Sequence, residues 1–167
     1  MAGPIHLVRR FVGSLSPVPL KAADDAWATA QLGSGERQLW QRMSRADQKH
    51  AVGVARVVAA RVGTDDRAVV AAALLHDVGK VEADLGTFGR AAATLVGRRR
   101  GARWRDSTGV RGRIGRYLHH DAIGARLLQD AGADALTVAW AREHHRPEEA
   151  WTVPAAVGRA LRDADDD

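Results

Sequence analysis

Hydrophobic residues recur at i, i+3, i+4 and i+7 along most of the chain, and this spacing predicts an all-α protein. Gly, Pro and short polar residues separate the periodic segments and place the helix ends. The expected helices cover residues 21–32, 36–43, 44–61, 66–77, 85–96, 117–131, 133–145 and 152–163. The fold class is therefore an all-α, single helical bundle of about seven helices, preceded by an arm that contains the segment 21–32.

The length of 167 residues suits one domain with one sizeable core. Residues 1–35 are expected to form an N-terminal arm with short helices, and residues 36–167 the helical domain. An Arg/Gly-rich loop is expected at 97–113, where the composition changes abruptly.

Composition narrows the possible chemistry. The chain contains no Cys, which excludes disulfides, thiolate zinc sites and cysteine nucleophiles, so any metal must be bound by His and carboxylates. No stretch approaches the ~20 apolar residues of a membrane span. We expect a cytoplasmic protein that does not act at a membrane.

The charge favours an anionic partner. The net charge is +5, only three of the 25 basic residues are Lys, and residues 98–116 contain eight Arg with Trp104 among them. Three interpretations of that segment remain open: a solvated loop, a lid over a phosphate-containing ligand, or a nucleic-acid patch. A small phosphate-containing substrate is favoured over nucleic acid.

The main candidate site residues follow the apolar run of residues 69–75. His76 and Asp77 are adjacent there, and imidazole and carboxylate are common ligands of divalent metals. If the helical path continues, Lys80 points the same way as both. The alternative is an ordinary solvated helix end with a His near the negative end of the helix dipole.

Further candidates lie on apolar faces or at ends of other predicted helices. His50 lies on the apolar stripe of its helix, and His120 shares a face with Ile123 and Gly124. His144 and His145 end a helix, and Asp163 lies on a face of small residues. Each could instead be an ordinary core histidine or part of a solvated acidic tail.

Taken in order, these residues resemble the HD-domain superfamily of all-helical, metal-dependent phosphohydrolases. Leu74-Leu75-His76-Asp77-Val78-Gly79-Lys80 is similar to its signature. The full order (His, His-Asp, His, His-His, Asp) resembles members with seven ligands and two metals. Residues 120–128 are similar to the His-Pro-x-x-Gly segment of the HD-GYP phosphodiesterases, with Asp121 in place of Pro. The Gly-Tyr-Pro motif is absent.

The resemblance implies two divalent ions, of iron, manganese or another first-row metal. His50, His76, Asp77 and Asp163 would hold one ion, and His120, His144 and His145 the other, with Asp77 bridging. It implies hydrolysis of a nucleotide or cyclic (di)nucleotide through a hydroxide that bridges the metals. Asp77 and Lys80 are the expected catalytic residues, with Lys80 neutralising a phosphoryl oxygen.

Other residues beside the expected ligands are assigned supporting roles. Substrate phosphate is expected to contact Lys80, Arg98, Arg99, Arg100, Arg103 and Arg146. His119, Asp121 and Glu143 are candidates for the leaving group's acid or for hydrogen-bond partners of the ligands.

Two other functions are weighed. One is a mixed-valence di-iron oxygenase, because some HD-domain proteins with a similar ligand set use such a centre to oxygenate small molecules, although those proteins tend to have six ligands. The other is a non-catalytic regulator that binds nucleotide or RNA and holds a structural metal.

Overall fold

The computed structural model describes residues 20–62, 66–85, 89, 93, 102–104 and 106–166. Eight α-helices lie in these ranges: α1 Ala22–Ala30, α2 Ser34–Arg42, α3 Arg45–Val62, α4 Arg67–Leu75, α5 Gly109–Leu118, α6 His120–Asp130, α7 Ala135–Glu143 and α8 Ala155–Asp166. Short 3₁₀ helices span Val78–Glu82, Ala102–Trp104 and Glu148–Ala150. The described part of the chain contains no strand, which confirms the all-α prediction.

Local chemistry places several helix ends where the sequence predicts them. The N–H of Asp47 donates to Ser44 Oγ at the start of α3, and the N–H of Val69 donates to Asp66 Oδ1 at the start of α4. Glu36 accepts the N–H of Gly33 before α2. These contacts satisfy amide groups that have no partner inside the helix.

Helix α4 is the centre of the bundle, because residues 69–75 are all buried. Helices α3 and α7 pack against it, while α6 packs on α7 and α8 on α3. Trp40, Leu128 and Leu161 join the same core from α2, α6 and α8. The C-terminal end of α4 is therefore surrounded by other helices, and His76 and Asp77 follow it directly.

The largest differences from the predicted boundaries lie around residues 109–120. A separate helix, Gly109–Leu118, precedes the one expected from residue 117, and the part of the expected 97–113 loop from residue 109 onward is helical. The chain then bends at His119 (φ −115°, ψ 21°), which separates α5 from α6 and makes His120 the first residue of the new helix. Gly109 adopts a positive φ of 61° at the start of α5.

Some predictions fall outside the described residues. These are the structure of residues 1–19, most of the helix expected at 85–96, and Arg98, Arg99 and Arg100. No helix in the described ranges is long and apolar enough to cross a membrane.

Candidate metal centre

Five helices deliver polar side chains to one place beside the core. His50 lies within α3, whereas His76 and Asp77 follow α4 and His120 begins α6. His144 and His145 follow α7, and Asp165 lies in the last turn of α8. Helix ends suit this purpose, because a side chain there can leave the apolar stripe without interrupting it.

The first group consists of His50, His76 and Asp165, whose ligand atoms all lie within 4.8 Å of one another. Asp165 Oδ1 is 2.8 Å from His50 Nε2 and 3.6 Å from His76 Nε2. His76 is fully buried, while the His50 side chain is 32% exposed. This group therefore reaches the surface through His50.

The second group consists of His120, His144 and His145, whose ligand atoms also lie within 4.8 Å of one another. His120 Nε2 is 3.2 Å from His145 Nε2, and the rings of His144 and His145 are 3.9 Å apart between centroids. His120 and His144 are buried, and His145 is exposed. Like the first group, it has one open side.

Asp77 lies between the two groups and faces each with a different oxygen. Oδ1 is 3.2 Å from His120 Nε2 and 3.8 Å from His144 Nε2, on the side of the second group. Oδ2 is 3.4 Å from His76 Nε2, on the side of the first. A carboxylate in this position has the geometry to be shared by two cations.

Backbone carbonyls determine which nitrogen of each buried histidine faces the centre. The Nδ1 atoms of His76, His120 and His144 lie 2.9, 2.7 and 3.0 Å from the carbonyl oxygens of Ala73, Tyr117 and Ala141. A carbonyl only accepts, so each Nδ1 must carry the proton and donate it. In the neutral ring Nε2 then presents a lone pair to the centre, as a metal-binding histidine requires.

These residues fit divalent metal ions. Among the described residues, the buried Nε2 atoms of His76 and His144 form no hydrogen bond. The nearest carboxylate oxygens of Asp77 and Asp165 lie 3.4 and 3.6 Å from His76 Nε2, within ion-pair distance but too far for a normal hydrogen bond. Burying two such nitrogens beside one carboxylate is costly unless a ligand satisfies them. A first-row ion would satisfy both, since imidazole and carboxylate are its usual ligands.

Charge in the centre is concentrated on Asp77 and its neighbours. Burial would raise the pKa of Asp77, but the charges of Lys80 and His76 outweigh it and hold that pKa well below its usual value. Burial likewise opposes the charge of His76, yet the carboxylates of Asp77 and Asp165 raise its pKa to about 9. His144 differs: burial, with the neighbouring His145 and His76, lowers its pKa well below the ordinary value and keeps it neutral.

Lys80 projects into the centre from the Val78–Glu82 turn. Its Nζ donates to Asp77 Oδ2 and lies 5.9 Å from the centroid of the Tyr117 ring. Burial disfavours its charge, but the Asp77 carboxylate prevails and raises the pKa of Lys80. Lys80 is therefore a fixed cation beside the carboxylate, as its spacing from Asp77 predicts.

Asp163 lies outside the centre, since it is exposed and belongs to neither group, and Asp165 lies beside His50 and His76 in its place. Helix α8 buries Gly158, Leu161 and Ala164, and Asp165 follows Leu161 by four residues, which turns it inward. The spacing from Leu161 indicates Asp165, whereas the small-residue face through Ala156 and Ala160 indicates Asp163.

The three neighbours considered as acids have different surroundings. Glu143 is buried and holds the loop after α7, since Oε2 accepts the N–H of Thr152 (2.6 Å) and Oε1 its hydroxyl (2.8 Å). Asp121 Oδ1 accepts the N–H of Ala122 in the first turn of α6. His119 is half-buried, and its Nε2 has no hydrogen-bond partner. None belongs to either ligand group.

The expected phosphate-binding arginines are only partly described. Arg103 and Arg146 are exposed, and Arg146 directly follows His145. A cleft of about 360 Å³ lies near the junction of α5, α6 and the Val78–Glu82 turn. Its lining residues are Glu82, Asp106, Ser107, Arg116, Ile123 and Arg126. Arg126 was not among the sequence candidates, and nothing in its local pattern distinguishes it.

The structure is an all-helical bundle with a His/Asp cluster at its helix ends that could hold metal ions. Comparison with protein families makes this more specific, because the HD domain model matches residues 48–166. The chain belongs to the HD-domain family, as its sequence resemblance predicts. No curated protein and no solved structure gives a significant match.

Proposed function

We propose that this chain is a metal-dependent phosphohydrolase that cleaves a phosphate ester in a nucleotide or a cyclic (di)nucleotide. The observation that carries the proposal is the pair of buried Nε2 atoms of His76 and His144, which lie on either side of Asp77 and form no hydrogen bond within the described ranges. Family membership supports metal-dependent hydrolysis but not the choice of a nucleotide substrate, since HD domains are typically metal-dependent hydrolases.

The ligand assignment follows the two groups. His50, His76 and Asp165 would hold one ion and His120, His144 and His145 the other, with Asp77 shared between them. When bound, divalent cations would polarise the phosphoryl oxygens and acidify a water molecule. The depressed pKa of Asp77 supports this, because the carboxylate is ionised at neutral pH without help from a metal.

Lys80 is proposed to bind a non-bridging phosphoryl oxygen. Its Nζ is held by Asp77, so its charge is fixed in place before substrate arrives, and preorganised charge is what stabilises a phosphoryl-transfer transition state. The substrate would approach past His50 and His145, since these are the most exposed of the ligands.

The remainder of the substrate is proposed to extend toward the cleft. The Val78–Glu82 turn supplies both Lys80 and the cleft residue Glu82, and α6 supplies both His120 and Ile123. Arg126 has no hydrogen-bond or ion-pair partner within the described ranges, so its guanidinium is available to an anion. Arg126→Ala should raise KM more than it lowers kcat, whereas the exposed Arg67→Ala should change neither.

The decisive experiment combines metal analysis with a substrate screen. Purified protein is loaded with Mn or Fe, its metal content is measured, and phosphomonoesters, nucleotides, cyclic nucleotides and cyclic dinucleotides are tested for hydrolysis. Hydrolysis should require metal, and the Asp77→Ala variant should lose both its bound metal and its hydrolytic activity. If Asp77→Ala kept its metal and any activity found, the site assignment would be wrong. Salt-sensitive RNA binding without turnover would favour a non-catalytic regulator instead.

A further inference from the structure

We propose that the backbone contact between Gly79 and Gly124 is a positioning device that holds the second ligand group close enough to share Asp77 with the first. The inference rests on the two-ion centre proposed above. It concerns how the fold allows one carboxylate to serve both groups.

The contact is closer than any other residue type allows. A Cβ added to Gly79 would collide with the carbonyl oxygen of His120, and it would lie 2.6 Å from the Gly124 nitrogen. These are backbone atoms of α6, which cannot rotate away as a flexible side chain could. The Val78–Glu82 turn and α6 are therefore in direct main-chain contact at this point.

The contact lies between the residues that it would position. Gly79 follows Asp77 by two residues, and Gly124 follows His120 by four, which places it one helical turn along the same face of α6. Asp77 Oδ1 and His120 Nε2 are 3.2 Å apart at this junction. Any displacement of α6 from the turn changes that distance, and with it the position of the second group relative to Asp77.

Gly124 is the position where the spacing can be changed by a small amount. A Cβ there would lie 3.1 Å from the Gly79 nitrogen and 3.4 Å from Val78 Cγ1. These distances require a shift of a few tenths of an ångström, whereas Gly79→Ala would require a much larger one. Gly124→Ala should consequently move α6 away from Asp77 without unfolding the bundle.

The two ligand groups should respond differently to this movement. His50, His76 and Asp165 come from α3, α4 and α8, and none of them is carried by α6. His120 is the ligand that α6 carries, whereas His144 and His145 follow α7, so the movement displaces one member of the second group and none of the first. Gly124→Ala should keep the first ion and lose affinity for the second, whereas a purely structural glycine would change stability and leave the ratio of the two affinities unaltered.

The experiment measures Mn binding to the full chain by calorimetry, with folding followed by circular dichroism. Gly53→Ala is the matched control, because Gly53 lies exposed in α3 with nothing within 4 Å of an added Cβ. We expect two ions in the wild type and in Gly53→Ala, and in Gly124→Ala a second-site affinity at least about tenfold weaker with the first within about twofold. If Gly124→Ala does not fold, the same measurement is made in the Gly53→Ala background, which the helix propensity of Ala stabilises.

Rescue separates positioning from a general loss of packing. Asp77→Glu adds one methylene, so in the Gly124→Ala background it should recover part of the second-site affinity. Equal affinities in Gly124→Ala and wild type, a parallel loss at both sites, or a wild type that binds one ion would overturn the inference. A wild type that binds no metal and hydrolyses no phosphate ester would instead refute the proposed function, so the two failures are distinguishable.

Discussion

At the level of single residues, the centre depends on which nitrogen of each histidine faces Asp77. Three carbonyls fix the Nδ1 protons of His76, His120 and His144, so that each Nε2 faces Asp77. The residue types were readable from the sequence, because the His-Asp pair, the isolated histidines and the His-His pair stand out. The choice of Asp165 over Asp163 could not be predicted from the sequence. Four aspartates lie within the last five residues, and only the packing of α8 distinguishes them.

The two aspartates provide a matched pair of substitutions. Asp165→Asn should weaken metal binding at the first group by at least about tenfold, because a neutral amide is a poorer ligand and the His50 contact is altered. Asp163→Asn should leave metal affinity unchanged, since Asp163 is exposed and outside both groups. Equilibrium dialysis with Mn measures both, and the reverse order of effects would restore Asp163 as the ligand.

Metal affinity should depend on pH through His76. The pKa of His76 is raised to about 9, so the metal-free protein holds a proton on this residue at neutral pH, and an ion must displace it. Affinity should therefore rise about tenfold per pH unit from about pH 7 to 8.5, and level off above the pKa. Calorimetry in buffers of different ionisation enthalpy should detect the released proton. An affinity that is flat over this interval would contradict the prediction.

At the scale of elements, the helices and most of their ends follow from periodicity and capping. Helix α5 overlaps the Arg-rich segment and is not predicted from the sequence, because Gly109, Gly112 and Gly115 favour a loop there. Two of these glycines are buried: a Cβ at Gly112 would collide with the carbonyl oxygen of Ser107. Tight packing explains why glycine occupies position 112. Helix propensity, which disfavours glycine, contains no information about such tertiary contacts.

The loop after α7 depends on Glu143, which fastens it to Thr152 on the far side of His144 and His145. Glu143→Ala should destabilise the protein by about 2 kcal/mol, because it removes a buried acceptor of two hydrogen bonds. Exposed Glu149→Ala should change stability by less than about 0.5 kcal/mol. Urea denaturation of the two variants and the wild type measures these changes in the free energy of unfolding.

The same residue tests one candidate for the leaving group's acid. Both carboxylate oxygens of Glu143 accept hydrogen bonds from Thr152. Glu143→Gln should therefore retain most of the activity per folded molecule. An activity loss of a hundredfold or more in a fully folded Glu143→Gln would show that Glu143 is the acid after all.

At the scale of the whole molecule, the centre joins helices that are distant along the chain. His50 and Asp165 are 115 residues apart, yet their side chains meet at 2.8 Å. Bound metal should therefore stabilise the entire fold. At about 100 times the dissociation constant, each site contributes about 2.7 kcal/mol, which corresponds to a rise in Tm of about 5 to 10 °C for a chain of this size.

Differential scanning fluorimetry with and without EDTA measures this stabilisation. Asp77→Ala should show a much smaller metal-dependent rise than the wild type, because both groups lose the shared ligand. A rise of equal size in Asp77→Ala would mean that the stabilising metal binds elsewhere.

The fold class, the family and most of the candidate ligands could be predicted from the amino-acid sequence alone. These properties depend on helical periodicity, capping and the order of residue types, which are local or nearly local features. Tertiary structure decided which aspartate closes the first group, how Asp77 faces both groups, and that Gly79 meets Gly124. Each of these is a distance between segments far apart in sequence, and such distances are set by how the helices pack in three dimensions.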